Sequence, residues 1–145
     1  TVSGVISKID NPKQQALNDF GKNIGMAFQI TDDTLDYCSN DLVLGKNTGD
    51  DFREGKVSLP VILAYKRSNK KEKEFWIRTI NNQNQNSDDF ILAKEILRKY
   101  NVIEDCFLKA QHYSLIARDS LSPFENNTDK EKLLDMCEVI VKRQS

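Results

Sequence analysis

The chain has 145 residues, of which 30% are charged and 39% hydrophobic, with a net charge of −1. That suffices for one domain with its own core. The near-zero charge leaves no basic footprint for nucleic acid, and no apolar run approaches the roughly 20 residues of a membrane span. Only six Gly and three Pro interrupt long runs of Lys, Glu, Leu, Ile and Ala, and almost nothing alternates like a strand. The composition therefore predicts an all-α fold, read here as one helical unit over residues 1–145. Cys38, Cys106 and Cys137 are widely spaced and form no Cys-x-x-Cys pair. That spacing argues against disulfides and zinc and for a reducing, cytoplasmic compartment. No signal-peptide pattern is visible. The first residue, Thr1, points to a processed form or a piece of a longer chain.

In chain order, residues 1–10 read as the end of a helix. Asn11-Pro12 opens the central helix, with Asn11 as cap, Pro12 in the first turn and Gln14 completing a capping box. This helix is predicted to end between Tyr37 and Asn40. Gly21 and Gly25 lie one turn apart on it, a device for a close neighbouring helix or for ligand room. Residues 41–57 read as a polar loop. Ser58-Leu59-Pro60 opens a helix to about Arg67, and another is predicted over 70–80. Asn81 to Ser87 is an Asn/Gln-rich stretch taken as a surface loop. Ser87 is the expected cap of a helix to Lys99. Ile103, Cys106, Phe107, Ala110, Ser114, Ala117 and Leu121 form a helical stripe over 102–120, broken by Ser122-Pro123. Thr128-Asp129-Lys130-Glu131 reads as the capping box of the last helix.

The stretch Phe28-Gln29-Ile30-Thr31-Asp32-Asp33-Thr34-Leu35-Asp36-Tyr37 carries the chemistry. Three carboxylates in five residues repel one another unless a cation sits among them. At about 100° per residue, Gly25, Gln29, Asp32, Asp33 and Asp36 share one arc. Leu17, Phe20, Ile24, Ala27, Phe28, Thr31 and Leu35 share the next. An acidic stripe flanked by apolar arcs predicts a helix buried on both sides, its acids lining an internal cavity. A solvated acidic face is the plainer alternative, and the apolar flanks argue against it. Asp32 and Asp36, one turn apart, can reach one cation, with Asp33 in an outer position. Few carboxylates with room for water suit magnesium, which commonly bridges to phosphate oxygens. An EF-hand is disfavoured by the Asp spacing. Lys46 and Lys56, each beside a glycine in the following loop, can bring point charges to a phosphate. The single histidine, His112, excludes a multi-histidine metal site within this chain and reads as structural or solvated. Phe75 and Trp76 read as packing residues. Arg143 can close over a polar substrate or belong to a loose tail.

Gly25-Met26-Ala27-Phe28-Gln29-Ile30-Thr31-Asp32-Asp33-Thr34-Leu35-Asp36-Tyr37 resembles the second Asp-rich motif of trans-prenyl diphosphate synthases. Leu44-Gly45-Lys46-Asn47-Thr48-Gly49-Asp50-Asp51-Phe52-Arg53-Glu54-Gly55-Lys56-Val57-Ser58-Leu59-Pro60 is similar to the loop that follows it there, and the bacterial octaprenyl-like branch is nearest. The resemblance is strong over 21–65 and weaker beyond, although Val141-Lys142-Arg143 is also similar. It implies an isoprenoid-synthase-type helical bundle and a prenyltransferase that joins an allylic diphosphate to isopentenyl diphosphate with magnesium, usually as a homodimer. By the same resemblance Asp32 holds magnesium, with Asp33 and Asp36 directly or through water. Lys46 and Lys56 contact the allylic diphosphate. Phe28 and Gln29 face the prenyl chain, and Asp32, Asp33 and Lys46 are the catalytic candidates. The family's first Asp-rich motif and its isopentenyl-diphosphate-binding basic residues have no counterpart here. The expectation is therefore the C-terminal half of a synthase, inactive alone. The rivals are a non-catalytic partner subunit of a heteromeric synthase and a terpene-cyclase relative; the Gly-Lys…Glu-Gly-Lys loop argues against the latter.

Overall fold

Helix α1 runs from Asn11 to Leu35, with Pro12 in its first turn, where a missing N–H costs nothing. The computed structural model describes residues 11–38 and 49–142. The expectations for residues 1–10, for Lys46 and for Arg143 lie outside the described residues. The other elements are α2 (Asp50–Glu54), α3 (Leu59–Arg67), α4 (Lys70–Trp76) with a π-helical turn over Ile77–Asn81, α5 (Asp89–Lys99), α6 (Val102–Ser120) and α7 (Thr128–Lys142). Every regular element among the described residues is helical, as the composition predicts.

The described residues form two compact units, 11–29 with 109–142 and 30–38 with 49–108. In the first, Phe20, Ile24 and Ala27 of α1 share a core with Ala117 and Leu121 and with Cys137 and Ile140 of α7. Tyr113, Phe124, Leu133 and Leu134 pack against it. Of the stripe predicted over 102–120, Cys106, Ala110, Ala117 and Leu121 are inaccessible while Ile103 and Phe107 are half-buried. Buried Ser114 donates from Oγ to the Cys137 carbonyl at 3.2 Å.

The second unit is built on aromatic rings. Phe52, 1% exposed, meets Tyr37, Phe75, Trp76 and Phe90 at centroid distances of 5.7–6.5 Å. Trp76 donates from Nε1 to Ser68 Oγ at 3.2 Å, and that hydroxyl donates to the Ala64 carbonyl at 2.6 Å. Buried aromatics take partners for their polar atoms in this way.

Several boundaries differ from expectation for local reasons. α1 stops at Leu35 because the chain tightens: Tyr37 N bonds Thr34 O and Cys38 N bonds Leu35 O, both at 3.0 Å. The predicted 41–57 loop contains α2, bracketed by Gly49 at φ 89° and Gly55 at φ 72°. Only glycine adopts that backbone cheaply, so the pair defines where the helix starts and stops. α5 begins at Asp89, after the expected Ser87 cap, because Asn86 first makes its own turn, taking Asp88 N on Oδ1 at 3.0 Å. Asn127, one residue before the predicted box, caps α7 by accepting Lys130 N on Oδ1 at 2.9 Å. An unpredicted box of Asn69 with Glu72 opens α4 through two reciprocal bonds of 2.9 Å. Among the described residues nothing lies within 4 Å of a Cβ added at Gly21 or Gly25, so neither glycine makes room for a close helix there.

Candidate functional site

The three aspartates end α1 inside the second unit. Asp33 and Asp36 are buried, 6% and 2% exposed, and Asp32 is half-buried. Burying carboxylates requires partners, and both have them. Asp33 Oδ1 accepts from Lys56 Nζ at 2.8 Å. Asp51 Oδ2 stands 3.8 Å from the same ammonium. That hydrogen bond, and then the nearby carboxylates Asp51 and Asp32, raise the Lys56 pKa above the usual lysine range despite some desolvation. Lys56 is therefore a fixed positive charge at neutral pH. Asp36 Oδ2 accepts the backbone N–H of Asp51 at 2.9 Å, and its carbonyl accepts from Gly49 N at 2.8 Å. One residue thus ties the end of α1 to the start of α2 through side chain and backbone. The sequence reading set Lys56 against a phosphate; the structure places its ammonium directly on Asp33.

Tyr37 was not singled out as a site residue. Its hydroxyl is buried and has no hydrogen-bond partner among the described residues. Burial first, then the charges of Asp36, Asp51 and Asp33, push this phenol far above its ordinary range. It is a permanently protonated donor beside three carboxylates. The signal was in the sequence, an aromatic hydroxyl directly after the third aspartate, but its burial was not. Asp51, also missed, was read only as part of a loop.

Phe28 and Gln29 belong to the first unit. Phe28 is 49% exposed, against the prediction that it faces the apolar side. It lines an open groove of about 490 Å³ with Ile24, Gly25, Gln29, Met136 and Val139. The alternation of arcs failed here because the buried stripe of α1 is narrow: Ala16, Phe20, Ile24 and Ala27 fill it, and the next apolar side chain falls outside. The three thiols are free. Burial pushes Cys38 and Cys137 up and Cys106 up to about 11, which makes them weak nucleophiles. His112 is exposed and stands edge-on to Tyr113 at 5.9 Å. Phe75 and Trp76 pack as expected.

A sequence profile of the polyprenyl synthetase family matches residues 1–98, the stretch that holds the aspartates and Lys56. The chain belongs to that family. It is 30% identical over 145 residues to a geranylgeranyl diphosphate synthase of Saccharolobus solfataricus, a match covering 99% of this chain and 43% of that one. It is 30% identical over 131 residues to an octaprenyl diphosphate synthase of Haemophilus influenzae, covering 90% and 40%. The fold matches a polyprenyl synthase of Caulobacter crescentus, crystallised with calcium and isoprenyl diphosphate, at a TM-score of 0.85 and 40% identity. That match covers 95% of this chain and 42% of the other. The chain thus spans less than half the length of the relatives it matches.

The donor set of this polyprenyl synthetase chain suits a hard divalent cation, because all three side chains offer oxygen alone. Among the described residues no three His, Cys, Asp or Glu side chains converge on one point. No helix among the described residues is long and apolar enough to cross a membrane.

Proposed function

We propose that this chain is the C-terminal part of a polyprenyl diphosphate synthase. It would bind the allylic diphosphate that is condensed with isopentenyl diphosphate, in the cytoplasm and as a homodimer of the longer protein. The observation that carries the reading is the Lys56 ammonium 2.8 Å from Asp33, at the end of a helix bearing two more carboxylates. A site that mixes fixed cationic and anionic groups suits a polyanion that arrives with its own cation. Asp32 would hold magnesium, with Asp33 and Asp36 directly or through water, and the ion would offset the negative charge of the diphosphate.

Lys56 adds a charge that needs no reorganisation when the allylic carbon–oxygen bond breaks, since its partners already fix it. Lys46 is proposed for the same diphosphate. Phe28 and Gln29, which line the groove, are proposed to face the prenyl chain and its developing cation. The chain alone is proposed to be inactive.

In the complete synthase, Asp32→Ala lowers turnover by roughly two to four orders of magnitude while far-UV circular dichroism stays unchanged. Unchanged turnover contradicts the assignment. A second reading is a non-catalytic subunit of a heteromeric synthase. It predicts that Asp32→Ala leaves the heteromer's turnover intact.

A further inference from the structure

Lys56 reaches Asp33 from the turn that follows α2, so whatever fixes that turn fixes the ammonium. A helix of five residues cannot hold itself. From within, Gly55 N bonds Phe52 O at 3.0 Å and Lys56 N bonds Asp51 O at 2.9 Å. From outside, Gln85 Nε2 donates to Phe52 O at 2.6 Å and to Thr79 O at 2.8 Å. Gln83 Nε2 donates to the Glu54 carbonyl. Both glutamines come from the Asn/Gln stretch that composition alone assigns to a passive surface loop.

That stretch is anchored. Arg78 pairs with both oxygens of Asp89 at 2.9 and 3.0 Å and donates to Asn84 O at 2.9 Å. Asn84 N returns a bond to Arg78 O at 2.9 Å, and Asn86 N bonds Asp89 Oδ2 at 2.9 Å. Gln83 sits at φ 53°, a left-handed conformation that a non-glycine residue holds only when its surroundings demand it. Across from it, a Cβ on Gly55 would stand 2.7 Å from Ile80 O and 2.9 Å from Gln83 Cγ. The two segments therefore close on each other from both sides.

We infer that Gln83 and Gln85 are positioning residues, which clamp the C-terminal carbonyls of α2 and so aim Lys56 at the diphosphate. The inference rests on reading the Asp32–Lys56 region as a diphosphate site. Carboxamides suit the task. They donate to carbonyls without adding a charge that would compete with Lys56 for Asp33 or for the ligand.

Amide hydrogen exchange and calorimetry with inorganic diphosphate, on the 145-residue chain with and without magnesium, test this. Gln85→Leu combined with Gln83→Ala speeds exchange at Gly55 and Lys56 about tenfold and leaves Ala93 and Leu97 unchanged. Gln85→Leu alone, the milder variant, gives about threefold. The double variant weakens magnesium-dependent diphosphate binding about fivefold. In a Lys56→Met background the same changes cause no further loss, which a merely structural role would not produce. Unchanged exchange at Gly55 and Lys56 overturns the clamp. An equal affinity loss with and without Lys56 overturns the positioning role. Faster exchange in a chain whose wild type binds no diphosphate places the failure in the site reading, and the positioning role falls with it.

Discussion

The two ends of α1 bury different mixtures of side chain. Toward its start, Ala16, Phe20, Ile24 and Ala27 enter an apolar core while Phe28 stays half exposed. At its end, Ile30 and Leu35 are buried beside the polar Thr31, Asp33 and Thr34, and Asp36, just past the helix, is buried too. One end is held by non-directional apolar contact. The other is held by named partners: Lys56 on Asp33, Asp51 N on Asp36, and the Ile30 carbonyl, which takes the Thr34 hydroxyl at 2.7 Å. Hydrophobic periodicity describes the first end and is blind to the second, where what decides burial is whether a partner exists.

The largest expected effect comes from removing the aromatic support of the polar end. Phe52→Ala costs about 3–5 kcal/mol of unfolding free energy, read by urea denaturation. It also frees α2, so magnesium-dependent diphosphate binding falls with it. A loss under about 1 kcal/mol would mean that Phe52 packs loosely and that hydrogen bonds alone hold this end.

The next effect isolates a carboxylate held by partners without any metal. Burial pushes the Glu72 carboxyl up, but hydrogen bonds from Lys99, from the Tyr100 hydroxyl and from Asn69 N outweigh it and hold the pKa at about 2. A depressed carboxylate contributes stability above its unfolded value of 4.5, and that contribution disappears as pH falls toward about 2. Glu72→Gln should therefore be less stable than wild type at pH 7 and equal to it near pH 2. A stability gap that persists at pH 2 would mean that the side chain acts through packing.

The smallest effect on stability comes from the exposed apolar residue. Phe28→Ser changes unfolding free energy by no more than about 0.5 kcal/mol. In the complete synthase it weakens prenyl-substrate binding, read as a raised KM. A large stability loss with unchanged KM would assign Phe28 to the core after all.

Much of this was legible in residue order. Most of the α6 stripe was: Cys106, Ala110, Ser114, Ala117 and Leu121 are buried. The pairing of Lys56 with Asp33 was not. Dense like charges call for a cation, and residue order set a metal among the aspartates and Lys56 against a phosphate, whereas the structure places the ammonium on Asp33. Phe28 misled because a helix phase says which residues share a face and not how wide the buried face is. The glutamines were illegible for a different reason. A carboxamide matches any donor or acceptor, so its partner is set by the fold. The Asn69–Glu72 box was written plainly in the sequence and was overlooked. The π-helical turn over Ile77–Asn81, from which Thr79 O and Ile80 O face the Gln85 and Gly55 side, has no sequence signature comparable to a cap.

The central claim is that Asp32, Asp33, Asp36 and Lys56 form a diphosphate site that works with a divalent cation. Isothermal titration of inorganic diphosphate into this chain, with and without magnesium, addresses it directly. The account predicts heat only when magnesium is present, lost in Asp32→Ala and weakened in Lys56→Met. Heat that is independent of magnesium, or that both variants leave unchanged, would contradict it.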